Sequence, residues 1–306
     1  MERATDSLSG FDRPAAHIAM LDDRARTDAF LAAIAEMVRP GDVVVDIGTG
    51  TGVLAVAAAR AGARHVYAIE VGHIADAAEA LVRENGYADR ITVMRGRSTR
   101  IDLPERANVL LSETIGNDPL DEGIVKTIRD GRARFLAPDA RIIPRTLSVR
   151  ALPVDLGADF VEEHRFDLAS LERWKKAYGI EFGSLARYAA DDTRVGSVLP
   201  DNAARWTVVG EPLELVNLDL TTTSSTSVSG EGEVAITRAA THLGFVIYFE
   251  AELSPKVKLT TDPGKTTTTS WKSPVFYAAG RPCVAVGDRV SVGWTWRAGQ
   301  SAMTVR

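Results

Sequence analysis

The sequence predicts an α/β protein whose first half is a doubly wound parallel sheet and whose second half is a β-sandwich or barrel. Three observations carry this. Up to Pro144, short apolar runs alternate with segments of helical period. A turn containing Gly48, Gly50 and Gly52 separates the first such run from the helix that follows it. Beyond Pro144 helix signals become sparse, and apolar residues alternate with polar ones as they do in half-buried antiparallel strands. The chain therefore divides into 1–144 and 145–306.

In the first part "RARTDAFLAAIAEMV" (24–38) has helical spacing and is expected to pack beside the first strand. "DVVVDI" (42–47), "RHVYAIE" (64–70), "RITVMRG" (90–96) and "ANVLLSE" (107–113) read as buried strands. "VLAVAAARAG" (53–62) and "HIADAAEALVRENG" (73–86) read as helices, each with a glycine at its C-terminal end. In the second part "ARWTVVG", "LELVNLDL", "LGFVIYFEAEL" and "RVSVGWTW" read as strands. Residues 167–188 are an exception, helical and amphipathic, set like an insertion among the strands. The Thr/Ser-rich pieces 221–229 and 265–270 are expected to be hydroxyl-rich strand edges.

Composition narrows the function classes. Of 306 residues, 45% are hydrophobic and 25% charged, as in ordinary globular proteins. A net charge of −5 argues against general affinity for nucleic acid. Cys283 is the single cysteine, so no intrachain disulfide forms and a cytoplasmic home is expected. The opening "MERATDSLSG" lacks the apolar core of a secretory leader, and no apolar run reaches the length of a membrane span. The histidines are scattered, so no metal site is expected. Richness in alanine and arginine is that of a GC-rich bacterial genome.

The glycine turn points to a nucleotide-like cofactor. In a doubly wound sheet the loops at the strand C-termini form the ligand crevice. Glycines let a ligand approach the backbone, and Glu70, at the end of the second strand, suits the two hydroxyls of a ribose. No Gly-Lys-Ser/Thr follows the turn, which leaves a dinucleotide or S-adenosylmethionine. Asp46 leads directly into the glycines and would repel a pyrophosphate, whereas it suits the cationic end of S-adenosylmethionine. Downstream, Glu113 and Glu122 stand nine positions apart in a turn beyond the fourth strand, with Gly116 and Pro119 between them. Two such acids repel each other unless a cation lies between them.

The stretches "DIGTGTGVLAVAAARAGARHVYAIE" and "SETIGNDPLDEGIV" resemble a protein arginine methyltransferase. The upstream "HIAMLDDRART" (17–27) is similar to the helix with which that family covers its cofactor, and residues 167–188 resemble its dimerisation arm. The resemblance implies a Rossmann-like cofactor domain, a C-terminal β-barrel carrying the arm, and a homodimer. It implies S-adenosylmethionine as donor, S-adenosylhomocysteine as product, and Glu113 and Glu122 as the catalytic clamp on a guanidinium. Arg26 is expected on the methionine carboxylate of the cofactor, Glu70 on the ribose, and Ser98 and Thr99 at the adenine, with Asp46, Gly48, Gly50 and Gly52 completing the cofactor site. Met20, Asp23, Ser270 and Trp271 are expected around the substrate, and His17 nearby.

Two positions depart from the family pattern. Its Thr-His-Trp loop reads Thr269-Ser270-Trp271, and an expected N-terminal tyrosine is Phe11. Serine is shorter than histidine, so the direct bond to Asp23 is expected to be lost and the pocket to be roomier. That change favours free L-arginine or another small guanidine over a protein substrate. The competing readings are methylation of a different nucleophile on a metabolite and cofactor binding without catalysis.

Overall fold

The computed structural model describes residues 14–189, 193–266 and 269–306; Phe11 lies outside them. Two helices, α1 (Pro14–Asp22) and α2 (Arg24–Met37), precede the first sheet. Asp23 separates them. Its carboxylate accepts the Arg26 amide at 3.0 Å and caps α2, which buries Phe30, Ala33 and Ile34.

Five strands follow: β1 (Val43–Ile47), β2 (His65–Glu70), β3 (Ile91–Arg95), β4 (Ala107–Leu111) and β5 (Leu136–Ile143). All pair in parallel, in the order β3-β2-β1-β4-β5. Every residue of β1 is buried, as expected of a central strand covered on both faces. Helices α3 (Val53–Arg60), α4 (Ala75–Glu84) and α5 (Ile124–Arg134) make the crossovers. Strand order reverses between β1 and β4, so the loops after those two strands leave the sheet on opposite sides and open a crevice between them.

The chain then enters β6 (Thr146–Asp155), ten residues that pair along their whole length with β11 (Leu243–Glu252). With β7 (Arg194–Val198), β8 (Thr207–Val208), β9 (Leu213–Asp219), β12 (Lys258–Thr260) and β13 (Ser273–Tyr277) they form a seven-stranded sheet. A second sheet holds β10 (Val228–Ala235), β14 (Arg289–Arg297) and β15 (Gln300–Val305). Alternation along β14 buries Val290, Val292, Trp294 and Trp296. These residues share one apolar core with β1, β4 and α2. A second cluster, including Val154, Val246, Tyr248 and Tyr277, lies with Val161 beneath the helical insertion.

The second half holds the antiparallel sheets that the sequence predicts for a sandwich or barrel, and among the described residues they do not close into a barrel. Other expectations need correction. Only Thr207–Val208 of the segment 204–210 pairs as strand, because a helical turn at Pro200–Ala203 runs into it. Residues 221–227 form a turn: the Asp219 carboxylate takes the Thr221 amide at 2.9 Å and its hydroxyl at 2.5 Å, which competes with strand pairing. Helix α6 (Ala158–His164) precedes the insertion 167–188, which is broken into α7 (Leu168–Tyr178) and a short 3₁₀ turn at Gly183–Leu185 followed by Ala186–Ala189.

Candidate active site

The crevice is built where three segments meet: the glycine turn after β1, the loop 112–123 after β4, and the α1–α2 junction. The glycine turn is tied to β2 by the amides of Gly48 and Thr49, which donate to the Ile69 carbonyl at 2.9 and 3.1 Å. Gly48 has φ +79° and Gly50 φ +55°, backbone that favours glycine. A methyl group on Gly48 would stand 3.0 Å from the Thr114 side chain, and one on Gly50 3.3 Å from the His17 ring. Both glycines thus keep open a narrow floor beneath the other two segments.

Asp46 is buried at the end of β1, with its Oδ2 accepting the Thr49 hydroxyl at 2.6 Å. Its Oδ1 is buried without a partner. Burial pushes its carboxyl up to about 7, against the Thr49 bond, with Glu70 and Glu113 adding repulsion. A bare buried oxygen facing a cradle of this kind is satisfied by a cation or a donor from a ligand. The positively charged amino and sulfonium groups of S-adenosylmethionine meet that requirement; a pyrophosphate does not. Glu70 uses one carboxylate oxygen on the Gly50 amide, at 2.9 Å, and the other on the Gly72 amide, at 2.7 Å. Each oxygen keeps a lone pair for a hydroxyl. Ser98 and Thr99 lie in a short 3₁₀ turn beyond β3, one turn from the Glu70 strand end that receives the Gly96 amide.

The two glutamates occupy the ends of the loop after β4. Glu113 accepts Arg26 Nε at 2.9 Å, and Arg26 Nη2 closes a second bond to the same oxygen. Arg26 Nη1 donates to the Met20 carbonyl at 3.0 Å. Besides Glu113, Arg26 lies 5.7 Å from the centre of the Trp271 ring. Glu122 accepts no hydrogen bond from the described residues. Loss of solvation in the cleft raises its carboxyl to about 9, with Glu113 and Asp121 pushing the same way and Arg26 opposing them. Asp121, a third acid that the sequence analysis did not single out, is pushed up to about 6 by burial and by Asp118.

The loop holding Ser270 contradicts the expectation of a lost bond. Asp23 Oδ2 accepts the Ser270 amide at 2.7 Å, the Ser270 hydroxyl at 3.1 Å and the Thr269 hydroxyl at 2.8 Å. Backbone and hydroxyl donors draw the loop onto Asp23, so the shorter side chain leaves no gap there. Trp271 is buried: its indole N–H donates to the Ile115 carbonyl at 2.6 Å and its ring meets Phe249 edge to face. Met20 is half-buried at the end of α1.

The raised carboxyl of Glu122 makes a stability prediction. Between its ordinary 4.5 and about 9 the group holds its proton in the folded protein and loses it on unfolding. Its contribution to stability is therefore complete at the acid end and declines as pH rises through that window. Glu122→Gln removes this slope. The melting temperature of the variant is expected to gain on wild type progressively from pH 5 to pH 9. Parallel melting curves across that range, measured without cofactor, would contradict the assignment.

The chain is similar to known methyltransferases in sequence and in fold. The family described as the arginine methyltransferase oligomerization subdomain matches residues 156–301, and the family described as ribosomal protein L11 methyltransferase (PrmA) matches residues 24–127. A probable protein arginine N-methyltransferase 6 of Arabidopsis thaliana is 29% identical over 244 residues, 78% of this chain and 54% of that protein. Protein arginine N-methyltransferase 1 of Schizosaccharomyces pombe is 30% identical over 284 residues, 90% of this chain and 79% of that protein. The chain thus spans about half the length of the first relative and about four fifths of the second. In structure, a chain of the Trypanosoma brucei PRMT1 enzyme–prozyme heterotetrameric complex with AdoHcy superimposes with a TM-score of 0.80 at 22% identity, covering 97% of this chain and 98% of that one. The chain belongs to the protein arginine N-methyltransferase family, a family of S-adenosylmethionine-dependent enzymes.

Proposed function

We propose that this chain transfers a methyl group from S-adenosylmethionine to a guanidinium nitrogen of arginine in a polypeptide. One observation carries the reading: a loop beside the cofactor cradle presents two carboxylates, one already holding a guanidinium and the other without a hydrogen-bond partner among the described residues. A guanidinium keeps its proton at ordinary pH and its nitrogens are poor nucleophiles. Glu113, through Oε1, and Glu122 together accept its donors and concentrate its positive charge away from one terminal nitrogen. When bound, the cofactor supplies an electrophilic methyl on sulfur; the new N–CH₃ bond forms as the S–CH₃ bond breaks, leaving a thioether. The nitrogen then sheds a proton, which Glu122 receives. A carboxyl whose surroundings raise it far above the ordinary range holds a proton readily. Alignment and fixed charge supply most of the acceleration.

Around the donor we assign Glu70 to the ribose hydroxyls and Asp46 to the cationic end of the cofactor, with the turn of Gly48, Gly50 and Gly52 beneath it. Ser98 and Thr99 are assigned to the adenine. Arg26 has five N–H donors, of which the bonds to Glu113 and Met20 engage three. The remaining two are assigned to the carboxylate of the cofactor, so that Arg26 touches donor and clamp at once. Met20 and His17 lie along the path between them. The insertion at 167–188 is assigned to self-association: Leu168, Tyr178 and Ile180 are 64%, 67% and 57% exposed, a costly surface for a monomer.

The test is mass spectrometry of an arginine-rich peptide and of free L-arginine, each incubated with labelled donor. Methylated peptide is expected; methylation of free arginine alone would support the small-substrate expectation drawn from Ser270. Glu122→Gln is expected to lower kcat by about 10²–10³-fold, the usual effect of removing one group that stabilises transition-state charge, and to leave affinity for S-adenosylhomocysteine unchanged. No methylated guanidine from any source, with the cofactor bound, would overturn the reading. Light scattering at micromolar concentration is expected to show a dimer; a monomer would remove the assignment of residues 167–188.

A further inference from the structure

We propose that Asp118 is a positioning residue whose buried carboxylate, held by Ser301 and Arg194, sets the separation of Glu113 and Glu122. The inference rests on the guanidine-methylation reading above and adds residues from β7 and β15 that touch neither donor nor acceptor.

The loop 112–123 leaves β4 at Ser112 and turns back toward α5 at Gly123. Glu113 and Glu122 face the cleft from its two ends. Its centre, Ile115 to Asp118, points the other way and is fixed by groups from the C-terminal half. The Ile115 carbonyl takes the Trp271 indole at 2.6 Å, and the Asn117 carbonyl oxygen Oδ1 takes the Lys272 amide at 2.6 Å. Asp118, 1% exposed, takes the Ser301 hydroxyl and the Arg194 guanidinium, the latter at 3.3 Å. Both act on Oδ2; Oδ1 is buried without a partner. Burial pushes this carboxyl up, against the pull of Ser301 and Arg194.

An acid placed so is poorly suited to stability alone. A buried carboxylate with one bare oxygen loses solvation that a single long guanidinium contact returns only in part. Its effect is geometric. Ser301 lies in the last strand, and Arg194 opens β7, the first strand after the helical insertion. Asp118 joins both to the loop four residues before Glu122. Release of Asp118 frees the segment between Asn117 and Glu122 to shift, and the two glutamates then no longer meet one planar cation. A displacement of about 1 Å at a reacting centre can cost about 10²-fold in rate.

The experiment compares Asp118→Asn, Arg194→Gln and Ser301→Ala with wild type in the full chain. Asp118→Asn keeps an oxygen for Ser301 and loses the charge that holds Arg194. Amide hydrogen exchange needs no turnover and is read first. Exchange across 112–123 is expected to rise several-fold in Asp118→Asn while β1 and β2 stay protected. For the methyl transfer, kcat is expected to fall by about 10- to 10²-fold, with affinity for S-adenosylhomocysteine within about twofold. The double variant Asp118→Asn/Arg194→Gln should be no slower than Asp118→Asn, since both remove one link. Unchanged exchange in 112–123 would overturn the proposal whatever the activity. So would a lowered melting temperature with wild-type kcat, or a loss of cofactor affinity matching the loss of rate. Raised exchange in a wild-type background that methylates no guanidine would instead strike the functional reading and leave Asp118 as the anchor of this loop.

Discussion

The pair between Arg26 and Glu113 joins the segment before the sheet to the loop after its fourth strand, and the rest of the cleft is arranged around it. Four acids, Asp46, Glu70, Glu113 and Glu122, converge there from strand ends and the loop before α5. Arg26 is one cation among them. Carboxylates taken out of water must find positive charge, donors, or a proton. Each solution occurs here. Glu113 takes the guanidinium, Glu70 takes two backbone amides, and Asp46 and Glu122 are driven toward the protonated form. Negative charge therefore outweighs positive charge in this cleft, an arrangement suited to cationic ligands.

That constraint explains why the C-terminal half is needed. A parallel sheet alone presents its loops at the strand ends without fixing their shape. Here the Trp271 indole, the Lys272 amide, Arg194 and Ser301 all bond to the centre of the glutamate loop. Asp23 ties the same 269–271 segment to the α2 N-terminus, three residues from Arg26. The two ends of the cleft are thus anchored to one loop of the β half. The apolar core that runs without a break from β1 to β14 gives that loop a rigid base.

Much of this was legible in the sequence where the signal is local. Strand–turn–helix around Gly48, Gly50 and Gly52 follows from period and turn chemistry, and the acids Asp46 and Glu70 follow from their places at strand ends. Glu113 and Glu122 were visible as a pair through the family resemblance. What escaped depends on contacts between distant segments. Nothing near Arg26 announces that it spans 87 positions to Glu113. Asp23 was expected to lose its partner when a histidine became Ser270, because side-chain length was considered and backbone donors were not. Nothing near Trp271 announces its bond to the Ile115 carbonyl, 156 positions away. Asp118 carries no local mark at all; its importance comes from Arg194 and Ser301, 76 and 183 positions away.

The central claim is that Glu122 waits, protonated, for a guanidinium. Calorimetric titration of an arginine peptide into the protein saturated with S-adenosylhomocysteine, at pH 7.5 in buffers of different ionisation enthalpy, measures it directly. Binding of a cation to a carboxyl raised to about 9 should expel its proton. Release of about one proton per guanidinium bound is predicted, falling toward zero in Glu122→Gln. Binding with no proton released, or no binding of any guanidinium to the cofactor-loaded protein, would contradict the account.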